Sequence, residues 1–448
     1  MAELLSAVIE RPRTSLWPAV SVAEATDMIE KHVCVTSLTR KVINTEVKIG
    51  DVLAEDIIAT KSHPEVRTSI KDGYAVVASD GKGIRQVVAG TTAGELSTIT
   101  LKSGFICRVN TGSMVPDGAD AVVQIENTRL VEYNNLQEIA VEILSEPIIG
   151  QDIRDIGCDI KIGEILLHKG CVFGAAEIGI LAASERKLVE IFEKPEVAVI
   201  STGHEVVDSS SNECPLGSVR DTNRPQLIAL LNEYHFKYRD IGILPDKLGF
   251  VKFRIKKKDY SSKEKLKSGL ETALTLCDVV VCSGGVSMGE KDYFKEVLEK
   301  QLKFTIKFGR VMMKPGLPTT FACGEWNARK KVVFALPGNP VSTWVTAQLF
   351  LIPALRKVAG WKHYHHTVIT VRLSDEIELD FRPEYRRARL EPDPGNIPRA
   401  IFLEKDQMSS RLLSVRGANL LLKLQSRTNI KSIMTKEEIV DAIVTGPI

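Results

Sequence analysis

Ser283-Gly284-Gly285-Val286-Ser287-Met288-Gly289-Glu290-Lys291-Asp292 gathers hydroxyls, carboxylates, a lysine and glycines into one short stretch. Glycines let backbone N–H groups approach an anion closely, and a helix start behind them adds a favourable dipole. Two glycines alone describe a tight turn. The polar side chains beside them make a phosphate or another anion the chemistry to look for. Ser201-Thr202-Gly203-His204-Glu205 and Leu336-Pro337-Gly338-Asn339-Pro340-Val341-Ser342 have a similar texture, with Pro337 and Pro340 stiffening the second. A fourth segment, Arg310 to Pro318, holds Lys314 on a Pro315-Gly316 frame. A lysine there, between two glycine-rich loops, suits an oxyanion.

Elements that could position these loops stand directly before them. Asp278-Val279-Val280-Val281-Cys282 is β-branched without alternation and reads as a buried strand. Strands are also expected at Glu196–Ile200, Asp240–Leu244 and Val332–Leu336. Helices are expected after Asp221-Thr222, where either residue could cap, at Lys263–Leu276, and from Asn339 to Val358. Alternating strands and helices argue for a parallel, doubly wound sheet, whose strands end on one edge. Three polar loops on one edge can converge on one ligand.

The flanking chain differs. Ser21 to Glu24 has capping-box spacing and opens a helix through Lys31. Residues 64–151 show short strands with turn signals at Asp72-Gly73, Asp80-Gly81 and Asp117-Gly118. Asp72-Gly73 and Thr111-Gly112 read first as turns. The cluster around Asp152, Arg154, Asp155 and Asp159 reads as a solvated turn, Ala175–Ala183 as a core helix, and Lys256-Lys257-Lys258 as a solvated loop. His363, His365 and His366 lack acidic or cysteine company and suggest a linker rather than a metal site. The chain turns β-rich again after Trp361.

Composition narrows the class. A length of 448 residues implies several domains, and a net charge of +2 gives no reason to invoke nucleic acid. No apolar run reaches the length of a bilayer span. The first residues make a poor signal peptide, and the 8 cysteines lie scattered, as expected of reduced thiols in a cytoplasmic protein.

SGGVSMGEKDY, with KPGLPTTF and LPGNPVS downstream, resembles the molybdenum insertases: bacterial MoeA, the plant molybdenum cofactor enzyme and the E-domain of gephyrin. The resemblance runs in order from about Val20 to the C-terminus. It implies a multidomain α/β fold with a discontinuous elongated domain at 16–63 and 152–194 and a β-rich insertion at 64–151. A doubly wound molybdopterin-binding domain at 195–361 and a C-terminal β-barrel-like domain at 362–448 follow. The implied reaction takes adenylylated molybdopterin and molybdate, releases AMP and leaves molybdenum on the dithiolene. Asp72, Thr111, Asp159, Glu205 and Asp246 become catalytic candidates. Ser283, Gly284, Gly285, Ser287, Gly289, Lys291, Asp292, Pro337 and Pro340 become pterin-binding candidates, and Lys314, Arg387, Ser409 and also Ser287 have the chemistry to hold molybdate. Glu205, Asp246 and Asp292 are the carboxylates for magnesium or another divalent cation; His204 receives no role. The resemblance also implies a homodimer, and a molybdopterin adenylyltransferase that is separate or fused.

Two departures stand out. Leu317 occupies a position where bacterial and plant members tend to have a second lysine. Gephyrin's receptor groove uses an aromatic residue and prolines, and Ala25-Thr26-Asp27 and Lys423 to Arg427 supply neither. A gephyrin-like scaffold without turnover is the alternative reading, and a related enzyme that performs the adenylylation is another.

Overall fold

The computed structural model describes residues 17–94, 96–135, 137–244, 262–285 and 293–447. Asp246, Ser287, Gly289, Lys291 and Asp292 lie outside the described residues, as does Lys256-Lys257-Lys258. The chain divides into two compact units. One holds residues 1–54, 170–174 and 189–448; the other holds 55–169 and 175–188.

Helix α1, Val22–His32, begins at the expected capping box. Glu24 N–H donates to Ser21 Oγ at 3.2 Å, and Ser21 N–H donates to Glu24 Oε2 at 2.7 Å. Two orphan donors of the first turn are thereby satisfied. Ala25 and Ile29 face inward.

The second unit is built on a six-stranded sheet of β1 (Gly73–Val76), β2 (Gly83–Thr91), β3 (Phe105–Val109), β4 (Ala121–Gln124), β5 (Thr128–Asn134) and β6 (Gln137–Ile143). Its order is β4-β1-β3-β2-β6-β5. Alternation along the strands feeds two cores: Tyr74, Val76, Ile106 and Val123 on one face, Ala75, Cys107, Val109 and Val122 on the other. Gly81 and Gly118 occupy turns with φ of 67° and 88°. Gly73 does not. It opens β1, and a Cβ there would lie 2.0 Å from the Val123 carbonyl oxygen. Close strand pairing, not turn geometry, requires that glycine. Helix α2, Ala175–Ala183, also departs from expectation, because Leu181 is its one buried residue. Apolar composition all round does not specify burial.

In the first unit, β7 (Glu196–Thr202), α3 (Asn223–Glu233), β8 (Lys237–Leu244), α4 (Ser262–Leu276), β9 (Val279–Ser283), β10 (Thr305–Phe308), β11 (Thr320–Trp326) and β12 (Arg329–Leu336) form an α/β domain. The sheet order is β8-β7-β9-β12-β11-β10. The first four strands are parallel, as alternation implies. β10 and β11 are antiparallel, so the sheet is mixed rather than wholly parallel. Leu227, Leu230 and Leu231 of α3 pack with Val197, Val199 and Val281 on one face; Leu266, Leu270 and Leu274 of α4 pack with Ala198, Ile200 and Val280 on the other. The helical segments Pro340–Thr346, Ala347–Leu351 and Ile352–Val358 run on as α5.

Strands β13 (Val368–Leu373), β14 (Glu384–Glu391), β15 (Arg399–Ile401), β16 (Leu420–Leu424) and β17 (Ile439–Val444) close into a barrel in the order β13-β15-β14-β16-β17. The histidine-bearing connection before it is more than a linker. His365 pairs with Glu30 at 2.9 Å, and His366 is enclosed by Gln348, Arg356 and Tyr234.

Candidate functional site

The parallel register puts Ser201, Ser283 and Leu336 side by side where β7, β9 and β12 end. The three polar loops therefore leave one edge of the sheet. Gly284 sits at φ 85°, and a Cβ on it would meet the Thr202 carbonyl oxygen at 2.4 Å. Its N–H donates to the Leu336 carbonyl at 3.1 Å, while Thr202 Oγ1 donates to the Ser283 carbonyl at 3.2 Å. Gly285, at φ 67°, continues the left-handed path. Such a turn carries no side chain between the backbone and a bound anion.

Pro340 stands at the first turn of α5, where a missing N–H costs nothing. Thr343 Oγ1 donates to the Pro337 carbonyl at 2.6 Å and fixes the loop before it. Ser409 meets this loop from a distant part of the chain. Asn339 Nδ2 donates to Ser409 Oγ at 2.8 Å, and Val341 N–H donates to the Ser409 carbonyl at 3.2 Å. Glu205, after β7, keeps a half-exposed carboxylate, with His204 Nδ1 at 3.0 Å from its Oε2.

Lys314 has different company from the anion suggested by its sequence setting. Its ammonium lies 3.2 Å from Asp380 Oδ2 and 3.4 Å from the buried Glu384 Oε1. Its backbone pairs with Pro383 and Tyr385, at the start of β14. Arg382 and Arg386 complete the cluster, so three cations face two carboxylates. A residual positive charge remains for an anion. Burial would raise the Asp380 pKa, but hydrogen bonds from Arg382 and Lys314 outweigh it and hold the group at about 2.

Arg387 is fully buried. Its guanidinium donates to the Gln407 carbonyl at 2.7 Å, to Ser414 Oγ at 3.0 and 3.2 Å, and to the Tyr385 carbonyl at 3.3 Å. Burial lowers its pKa to about 10, against the opposing pull of Glu384. These contacts tie down the 407–414 segment that carries Ser409.

Within the second unit, Thr111 N–H donates to Asp72 Oδ1 at 2.6 Å, which lowers the pKa of that carboxylate. Residues 39 positions apart in sequence thus meet at an exposed point. Asp159 is exposed and ion-paired with Arg154, which lowers its pKa too, and Cys158 Sγ donates to it at 3.5 Å. Among the described residues, no group of three His, Cys, Asp or Glu side chains is arranged to hold a metal.

Asp380, Glu384, Gln407 and Ser414 received no role in the sequence reading. The acidic residues flanking Arg382 were the available signal for the first two. A hydroxyl or amide within a loop offers none.

Residues 20–184 match the MoeA N-terminal region (domain I and II), and residues 198–357 match a probable molybdopterin binding domain. The molybdopterin molybdenumtransferase of Haemophilus influenzae is 33% identical over 350 residues, covering 76% of this chain and 80% of that one. The chain belongs to the molybdopterin molybdenumtransferase family. A protein named gephyrin from Dictyostelium discoideum is 38% identical over 89% of this chain, which spans 58% of that relative's length. The crystal structure of the molybdopterin biosynthesis MoeA protein from Pyrococcus horikoshii superposes with a TM-score of 0.75 at 25% identity, covering 96% of this chain and 100% of that one. These family relationships cover the α/β domain with its three strand-end loops and the sheet carrying Asp72 and Thr111.

Proposed function

We propose that this chain is a molybdenum insertase of molybdenum cofactor biosynthesis. It takes adenylylated molybdopterin and molybdate, releases AMP and transfers molybdenum to the dithiolene. The observation that carries this reading is the shared edge of β7, β9 and β12, where the Gly284 N–H bonds the Leu336 carbonyl and so joins two glycine-rich loops.

Each requirement of the reaction has a counterpart. The side-chain-free turn at Gly284 and Gly285 lets a phosphate come close to the backbone, and Pro337 and Pro340 keep the facing loop stiff. Molybdate, a tetrahedral dianion, calls for fixed donors and net positive charge. Lys314 supplies charge within its cluster, Ser409 supplies a hydroxyl, and Arg387 holds the segment bearing Ser409. Ser287, Gly289 and Lys291 extend the pterin-binding set. Asp72, Thr111 and Asp159 are the catalytic candidates of the second unit.

Glu205 suits a magnesium ion, because that cation keeps several waters and needs one or two carboxylates beside substrate phosphates. Asp246 and Asp292 are the further candidates. Magnesium, when bound, would neutralise charge on the phosphoanhydride.

The protein is proposed to act as a cytoplasmic homodimer, receiving its substrate from an adenylyltransferase on another or a longer polypeptide. No helix among the described residues is long and apolar enough to cross a membrane.

The test is AMP release from adenylylated molybdopterin by the purified protein, with and without molybdate and magnesium. Molybdate-dependent release with active cofactor formed is the expected result. Pterin binding without AMP release, across several divalent metals, refutes turnover and favours the gephyrin-like scaffold.

A further inference from the structure

Asp221, Asn223 and Arg224 stand at the start of α3, where a helix cap would account for one of them. All three are buried, and between them they bind the end of β7, the loop after β12 and the middle of β8. Asp221 Oδ1 accepts a hydrogen bond from Ser201 Oγ of β7 at 2.9 Å, and Ser201 Oγ in turn lies 3.1 Å from Ser283 Oγ of β9. Asn223 Nδ2 donates to the Gly338 carbonyl at 2.8 Å, in the loop after β12. Arg224 Nε donates to Asp221 Oδ2 at 2.9 Å, and its other nitrogens pair with Asp240 of β8 and with Asp208 beyond Glu205. Capping uses little of this. Thr222 makes no side-chain cap bond, and Asp221 Oδ1 accepts the Arg224 N–H at 3.1 Å while still bonding Ser201.

We propose that Asp221, Asn223 and Arg224 are positioning residues that set the spacing of the strand-end loops around the pterin substrate. A Cβ on Gly338 would lie 3.6 Å from the Gly284 Cα, and the Gly284 N–H already bonds the Leu336 carbonyl, so a shift of the loop after β12 changes the shape of the Gly284 turn. A glycine turn has no side chain of its own to hold it. Neighbouring polar groups must do so, and a fraction of an ångström in donor placement is felt by a bound phosphate. The proposal rests on the insertase reading for the identity of the ligand.

Removing Asp221 would leave Arg224 buried beside one anion fewer, which threatens folding. Asn223→Ala and Ser201→Ala therefore carry the test, because each removes an uncharged side chain and keeps the Asp221–Arg224 ion pair: the first loses the bond to Gly338, the second those to Asp221 and Ser283. Ser184→Ala is the control: its buried hydroxyl donates to the Leu181 carbonyl at 2.7 Å in the other unit. Steady-state AMP release is measured with each substrate varied in turn. Asn223→Ala and Ser201→Ala are expected to raise KM for adenylylated molybdopterin about tenfold while leaving KM for molybdate within about twofold. Ser184→Ala should change neither. Unchanged KM values, an equal rise in both, or a fall in kcat alone in step with lost folded protein would overturn the proposal.

Hydrogen exchange at the Gly284, Gly285 and Gly338 amides separates this claim from the functional reading. Faster exchange there in Asn223→Ala, with none in Ser184→Ala, is expected even if the wild-type chain releases no AMP. Identical exchange in all three proteins would sink the positioning role on its own.

Discussion

His366 is a buried base whose neutrality the fold requires. Its Nε2–H donates to the Gln348 carbonyl at 3.0 Å, and its Nδ1 faces Arg356 Nη1 at 3.5 Å. The Arg356 guanidinium is pinned in turn over the Tyr234 and Trp361 rings, at 4.6 and 4.8 Å from their centroids. Burial, reinforced by the Arg356 charge, pushes the His366 pKa down from 6.5 to about 3. The unfolded chain binds a proton at this residue below pH 6.5, whereas the folded chain does not until about pH 3. Stability from this residue is therefore complete above pH 6.5 and falls as pH drops toward 3.

Between pH 7.5 and 5 the loss comes to about 2 kcal/mol, nearly all of it from protonation of the unfolded state. Trp17, Trp326, Trp344 and Trp361 are the protein's tryptophans and all lie in the unit that contains His366. Urea unfolding followed by tryptophan fluorescence thus reads the relevant unit. His366→Gln keeps a donor for Gln348 and removes the titration. It should be less stable than wild type at pH 7.5 by about 1 kcal/mol. Its further loss on going to pH 5 should be smaller than that of wild type by about 2 kcal/mol. Subtracting the two proteins cancels the other histidines. Equal losses in both would refute the neutral, buried assignment.

Gly284→Ala combines a left-handed backbone with a Cβ 2.4 Å from a carbonyl oxygen. It should cost about 1–3 kcal/mol in the first unit and abolish pterin binding, checked by urea unfolding and a molybdopterin titration. Asp380 has its pKa lowered from 3.8 to about 2, so its contribution is present above pH 3.8 and lost as pH falls through 2. Asp380→Asn should therefore lower stability at pH 7 by about 2 kcal/mol and have little effect near pH 2, read from the urea midpoint at each pH.

Local chemistry was legible wherever short-range rules govern it. The capping box at Ser21 and Glu24, the β-branched run of β9 and the leucine face of α3 each depend on neighbours within a few residues. Those rules failed where partners came from elsewhere. Gly73 looks like a turn glycine until β4 lies against it, and α2 reads as core until its neighbours are in place. Arg387 looks like a surface charge, yet the barrel closes over it and the 407–414 segment supplies its acceptors.

By itself the sequence determined the alternation of strands and helices, the three polar loops that follow strands, and thereby a ligand edge. A parallel sheet forces those loops to one side, which makes the convergence a consequence of period and order. Tertiary structure decided the company each polar group keeps. Lys314 is bound to Asp380 and Glu384, Ser409 docks on Asn339, and Asp221, Asn223 and Arg224 link β7, β8 and the loop after β12. A buried charge or donor must find a partner wherever the chain brings one, and that choice depends on contacts between residues far apart in sequence.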